Sequence, residues 1–370
     1  MHVLADVLLI LVGIAAVGVV IDAAVRTFVV PRGSVVLFTV VVFRATRSVF
    51  ALFASPRRGY EARDRVMAVY APIALLALPL TSMFVVFGAF TCVFAGLERH
   101  GWRSAVMTSG SSLLTLGFER PGDLPSAFAA FSEAVIGLAL LALLIAYLPT
   151  IYNAFSRREV AVTDLAIRAG TPPTPGNMLV RAHLTGFLNE MDPFWESWTT
   201  WFTEIQETHT SYGSLTFFRS PNPHRSWVTA AGAVLDTAAM RLAVLDIPPR
   251  PAAALCIRSG YLALREVAGF FGFDYDDTPA PDDPISVSRD EFDEVYARLV
   301  DAGVPVRSDR DQAWRDFAGW RVNYDRVLVT LATYVMAPYA PWVSDRSPVT
   351  PLRHYAWGRR RIEITRRAQR

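Results

Sequence analysis

Residues 70–96 and 134–152 contain no charged side chain, and each run is about as long as a membrane is thick. A helix rises about 1.5 Å per residue and a bilayer's hydrocarbon is about 30 Å across, so roughly 20 apolar residues make one crossing. The two runs lie within longer apolar segments, 66–97 and 124–155, and the only acid in the latter is Glu133 near its start. A third stretch, residues 3–25, is nearly continuous in Leu, Val, Ile, Ala and Gly, with Asp6 and Asp22 near its ends. A cleaved leader is the rival for that first stretch. It is disfavoured because residues 1–5 carry no Arg or Lys and the apolar run is too long for a signal core. Three transmembrane helices are therefore expected. The apolar stretch 35–54 is interrupted by Arg44 and Arg47, each costing about 2.5–3.5 kcal/mol at the centre of a span, and reads as an interfacial helix.

Composition agrees with a membrane protein. Hydrophobic residues are 52% of the chain, charged residues 19%, and mean hydropathy is +0.29, which excludes a disordered chain and argues against an ordinary soluble enzyme. A net charge of +2 supplies no field for nucleic acid, so none is expected as a partner. There is no lysine, and all 36 basic residues are arginine. Cys92 and Cys256 are too few and too far apart for a disulfide framework or a zinc site and read as core thiols.

Arginine placement orients the spans. Arg26, Arg32, Arg57, Arg58, Arg63 and Arg65 lie between the first and second, and Arg157, Arg158 and Arg168 follow the third. By the positive-inside rule both groups face the cytoplasm. The amino terminus and the segment between spans two and three are then outside, and everything after residue 156 is inside, as in a multi-pass protein of the plasma (cell inner) membrane. The chain divides into an N-terminal helix and interfacial segment (1–65), a membrane domain (66–156), a linker (157–177), a helical cytoplasmic domain (178–342) and a basic tail (343–370). The linker carries Gly-Thr-Pro-Pro-Thr-Pro-Gly over 170–176. Beyond it, helical spacing recurs over 179–188, 194–209, 227–245, 252–271, 289–301 and 311–336, with no strand alternation, so the whole chain is expected to be all-α. Phe194, Trp195, Trp198, Trp201 and Phe202 recur at three-to-four-residue spacing and read as a buried helix, since Glu196, Glu204 and Glu207 would repel anionic lipid. The tail arginines Arg353, Arg359, Arg360, Arg361, Arg366, Arg367 and Arg370 could each gain about 1 kcal/mol at an anionic leaflet, so membrane lipids are an expected partner.

Between spans two and three runs a short apolar and hydroxyl-rich stretch, Ser104 to Leu114, too short to cross. A re-entrant half helix ending in irregular backbone is allowed at membrane depth only where protein or a water-filled cavity satisfies its carbonyls. The stretch ends in Thr115-Leu116-Gly117-Phe118, which resembles the filter of tetrameric potassium-type channels, Thr-Val-Gly-Tyr-Gly. The resemblance covers residues 66–156 and suggests a divergent bacterial-type member with a helical cytoplasmic domain. It implies a homotetramer in which four loops turn backbone carbonyls toward a common axis, and a pathway for monovalent cations, K+ first and Na+ second. The chain departs from the pattern at the fifth position, where Glu119 replaces glycine, and at the next, where Arg120 replaces an acid. Potassium selectivity therefore does not follow with the architecture. A ring of Glu119 carboxylates is similar to the Gly-Glu filters of cyclic-nucleotide-gated channels, which select weakly.

Three residues of the third span read as pore support or gating. Gly137 permits a bend and Pro149 a kink. Glu133 is expensive in a span unless paired or hydrated, and is expected to hold the loop through Ser111, Ser112 or Thr115. That role predicts loss of current in Glu133→Gln. Other clusters carry no chemistry. Asp274, Asp276, Asp277, Asp282 and Asp283 lack the glycine and terminal glutamate of a calcium loop, and Glu204, Glu207 and His209 lack metal spacing. No nucleophile, acid–base pair, cofactor or metal is assigned, and the chain is not read as an enzyme. The alternative function is a nonconducting membrane-anchored sensor or interaction protein with a degenerate loop.

Overall fold

A computed structural model of the chain describes residues 2–28, 37–54, 59–98 and 101–348. It is all-helical, with 75% helix and no strand among the described residues. The helices are α1 (His2–Phe28), α2 (Leu37–Phe53), α3 (Tyr60–Glu98), α4 (Trp102–Leu113), α5 (Leu124–Ala169), α6 (Pro175–Leu184), α7 (Asp192–Ser211), α8 (Trp227–Val244), α9 (Pro251–Phe270), α10 (Arg289–Asp301), α11 (Arg310–Arg321) and α12 (Asp325–Tyr334). Four of them, α1, α3, α5 and α8, are long and apolar enough to cross a membrane, and the chain is built as a multi-pass membrane protein. α8 differs from the other three because 94% of its apolar window is buried among its neighbours, which leaves no face for lipid. The chain forms two compact units, residues 1–153 and 154–370.

In the first unit α1 and α3 pack antiparallel, closely enough that glycine is required at the crossing points. A methyl group on Gly13 would stand 2.5 Å from the Ala89 carbonyl oxygen, and one on Gly96 would stand 2.7 Å from that of Asp6. Small residues serve this purpose in membranes because lipid gives no hydrophobic drive and close van der Waals contact must supply the association. A small core of Val20, Ala24, Val86, Phe90, Phe94, Ala105, Leu113, Ala130 and Leu140 joins α1, α3, α4 and α5. α2 lies on the N-terminal part of α3, where the Tyr70 hydroxyl donates to the Phe43 carbonyl (3.3 Å) and the Tyr70 ring meets Phe50 edge-on. Arg44 is exposed on α2; residues 35–36 lie outside the described part.

In the second unit α8 is central and buried at every position but Leu242. The aromatic face of α7 is core, with Trp195 and Phe202 fully enclosed. The expected linker differs from what is found: residues 157–169 are the last turns of α5, because nothing in that polar but breaker-free stretch stops a helix before Gly170. The expected helix over 311–336 is likewise two helices. At the break Asn323 folds its side-chain amide back to the Gly319 and Trp320 carbonyls (3.1 and 3.2 Å), and Arg265 takes its backbone carbonyl (3.0 Å). The acidic stretch near 276–283 is an exposed loop whose aspartates accept from backbone N–H groups within it. Of the basic tail, residues 349–370 lie outside the described part, which includes every tail arginine named above.

Candidate functional site

The short hydroxyl-rich stretch forms α4, and its polar residues Thr108, Ser109 and Ser111 are buried. α4 ends in a Schellman turn. The Leu116 N–H donates to the Ser111 carbonyl (2.8 Å) and the Thr115 N–H to that of Ser112 (3.0 Å), satisfying two carbonyls that a helix terminus leaves open. The turn requires one residue in the left-handed region, and Thr115 supplies it with φ of 55°. Glycine usually fills that place, and it does so at the ends of α6, α9 and α10, through Gly186, Gly272 and Gly303. Among the described residues Thr115 is the only β-branched one with positive φ, a conformation in which the branched side chain crowds its own backbone. Gly117 is also left-handed, at φ 71°, with open space around it.

From Leu114 to Asp123 the backbone is not helical. Leu114, Leu116 and Phe118 turn large apolar side chains outward, at 55%, 60% and 54% exposure in a single chain. The Glu119 N–H donates to the buried Ser111 hydroxyl (3.1 Å), so the loop is tied back to α4 at both its first and its fifth motif positions. Asp123 closes the loop by accepting from the Ser126 N–H (2.9 Å) at the start of α5.

α5 meets α4 at two positions singled out in the sequence. Gly137 is a close-approach site, since a methyl group there would stand 2.6 Å from the Leu113 carbonyl oxygen and 2.9 Å from Leu113 Cδ1. Four residues earlier, Glu133 is fully enclosed and its Oε1 stands 2.6 Å from the Ser109 hydroxyl. The expected partners Ser111, Ser112 and Thr115 are thus replaced by Ser109, because the face α4 turns to α5 is set by helix packing that the sequence alone does not specify. Ser109 Oγ also lies 3.0 Å from the Phe87 carbonyl of α3. Pro149 sits on an exposed part of α5, far from this contact, within one continuous helix.

Two clusters of buried charge in the second unit centre on Arg321 and Arg158. Arg321 is fully buried and pairs with Asp236 of α8 and Asp325 of α12, while its last nitrogen donates to the Trp342 carbonyl (2.5 Å). Burial alone would pull its guanidinium down, but the two facing carboxylates overturn this and hold it above the usual arginine value. Near the start of this unit, Arg158 donates to the Leu215 and Phe218 carbonyls (2.8 and 2.7 Å), and His209 Nε2 lies 3.3 Å from it. His209 Nδ1 lies 3.1 Å from the Thr208 hydroxyl, which itself donates to Glu204 O (2.6 Å), so the imidazole is the neutral Nδ1–H form. Burial, reinforced by Arg158, keeps its pKa well below the usual 6.5. Burial pushes the Cys256 thiol up to about 12, which makes it inert. A cleft of about 170 Å³ opens at the start of α12, but Arg265 and Arg326 share it with Asp276, Asp283 and Asp325, so it favours neither sign of ligand.

No protein-family model, characterised protein or solved structure matches the chain.

Proposed function

We propose that four copies of this chain assemble a pathway for monovalent cations, K+ first and Na+ second, with residues 115–119 of each copy at its mouth and residues after 156 in the cytoplasm. The observation that carries the reading is the strained, non-helical backbone at Thr115, at the end of a half helix set between the long apolar helices α3 and α5. Strained backbone persists only where its surroundings enforce it, and it concentrates at functional sites. Irregular backbone at membrane depth needs protein or water beside it, and one chain leaves Leu114, Leu116 and Phe118 uncovered. A ring of copies around a water-filled axis meets both requirements, and one loop supplies only a quarter of such a ring. Glu119 then provides the acids that concentrate cations.

A second reading, a nonconducting membrane-anchored sensor, is favoured by one observation: a side chain stands at position 119, where the filter pattern has glycine, and its backbone is fixed on Ser111. The two readings separate in planar-bilayer recordings of the purified protein under K+, Na+ and Ca2+ gradients. Discrete currents are expected, with reversal potentials that shift in Glu119→Ala and amplitudes that fall in Gly117→Ala. Silence from folded, assembled protein across voltages would leave the sensor reading in place.

A further inference from the structure

The hydrogens around Ser109 do not add up if Glu133 is ionised. Ser109 Oγ touches two oxygens, Glu133 Oε1 at 2.6 Å and the Phe87 carbonyl at 3.0 Å. A carbonyl oxygen carries no hydrogen, an ionised carboxylate carries none, and the serine has one. One hydrogen cannot lie on both lines, so with an ionised acid one contact would set lone pair against lone pair. A proton on Glu133 completes the chain: the acid O–H donates to Ser109 Oγ, and the serine O–H donates to Phe87 O.

The surroundings agree. Glu133 is fully enclosed, and its Oε2 receives no hydrogen bond. No cation stands against it among the described residues. The segment of α3 over 70–96 has no charge, and the only charged residue of α4, Arg103, is exposed about 9 Å along the axis from Ser109. On α5 the next charged residue after Glu133 is Arg157. An ionised carboxylate enclosed with no counter-charge and at most one hydroxyl to solvate it is strongly unfavourable, while a neutral acid that donates one hydrogen bond is not.

We propose that Glu133 is a proton-binding site, and that the protonated acid, Ser109 and the Phe87 carbonyl form a three-helix clamp that fixes α4 between α5 and α3. Glu133 is here a positioning residue whose working property is donation, so glutamine, which also donates, substitutes for it. This reverses the loss expected from the sequence for Glu133→Gln. What the clamp holds in place depends on the pore reading; the proton and the clamp do not.

Infrared difference spectra of the full chain in lipid at neutral pH, parent minus E133Q, test the proton. The carboxylic-acid carbonyl band is expected in the parent, absent from E133Q, and shifted in S109A, which removes the acceptor. A carboxylate band in its place, or an S109A band that does not move, overturns the proposal. Thermal unfolding tests the clamp: E133Q should stay within about 2 °C of the parent, while E133A and S109A each fall by roughly 4 °C or more. An E133Q variant as damaged as E133A, or unable to fold, also overturns it. If both sets of results hold and neither parent nor E133Q conducts, the clamp stands and the channel reading falls.

Discussion

At the scale of single residues, the chain shows how much a side chain's role depends on what packs against it. Glu133 is conspicuous in the sequence as an acid in a span, but its partner is not, because Ser109, Ser111 and Ser112 are chemically alike and only the rotation of α4 selects among them. Gly137 is equally visible, but its close approach to the Leu113 carbonyl is not, because that contact depends on how α4 crosses α5. His209 lacks metal spacing in the sequence, and the structure makes it a neutral acceptor beside Arg158. That role has a pH signature. Because the fold holds its pKa below 6.5, the unfolded chain binds the extra proton first as pH falls. The stabilisation is complete above 6.5 and is lost progressively below it, with a limiting slope of about 1.4 kcal/mol per pH unit. The thermal midpoint of the second unit should therefore fall between about pH 7 and pH 5, and His209→Gln should flatten that part of the curve. A parent midpoint that does not change over the range would count against a buried neutral imidazole.

At the scale of elements, most helices announce themselves and their ends do not. The periodic apolar residues of α7, α8, α9 and α10 are legible, but the division of 311–336 into α11 and α12 comes from contacts made far along the chain. Arg265 holds the Asn323 carbonyl at the break, and Arg321 binds Asp325 across it. Arg321 joins α8, α11 and α12 through Asp236, Asp325 and the Trp342 carbonyl, so removing it strands two carboxylates in the core. Arg321→Met should cost about 3–5 kcal/mol in urea unfolding of the full chain. Removing Asp236 as well, as Leu, should restore part of that loss, because a well-packed apolar pair avoids the stranded charge. Equal losses in the single and double variants would show that the cluster contributes packing and little electrostatics. Distant partners likewise fix the role of the last turns of α5. Arg158, which looks like a cytoplasmic marker in a linker, is a buried helical residue holding Leu215 and Phe218.

At the scale of the whole molecule, length places limits on the membrane arrangement. The 39 residues of α3 and 46 of α5 extend about 58 and 69 Å, roughly twice the hydrocarbon thickness, so each must also run through water or headgroups. On α5 the exposed positions Leu124, Phe128, Phe131, Val135, Leu138 and Ile145 fall in alternating steps of three, four and seven, a seam spacing suited to another helix or to lipid tails. A ring of four copies would cover part of this face. Native mass measurement in a mild detergent should therefore find four chains, and a stable monomer that still carried current would contradict the ring.

The sequence by itself determined the properties that depend on local composition: that the chain carries helices long and apolar enough to enter a membrane, that its described part is built of helices without strands, and which acid is out of place in an apolar run. These follow from the lengths of apolar runs, helical periodicity and the cost of an intramembrane charge, none of which needs a partner to be known. Only the tertiary structure decided that α8 is enclosed by its neighbours although it is apolar enough to cross, that Thr115 is the strained residue of the α4 cap, and that Glu133 meets Ser109 and, through it, Phe87. The physical reason is that hydrogen-bond partners and buried faces are set by the rotation and crossing of helices, which depend on packing between residues far apart in the chain.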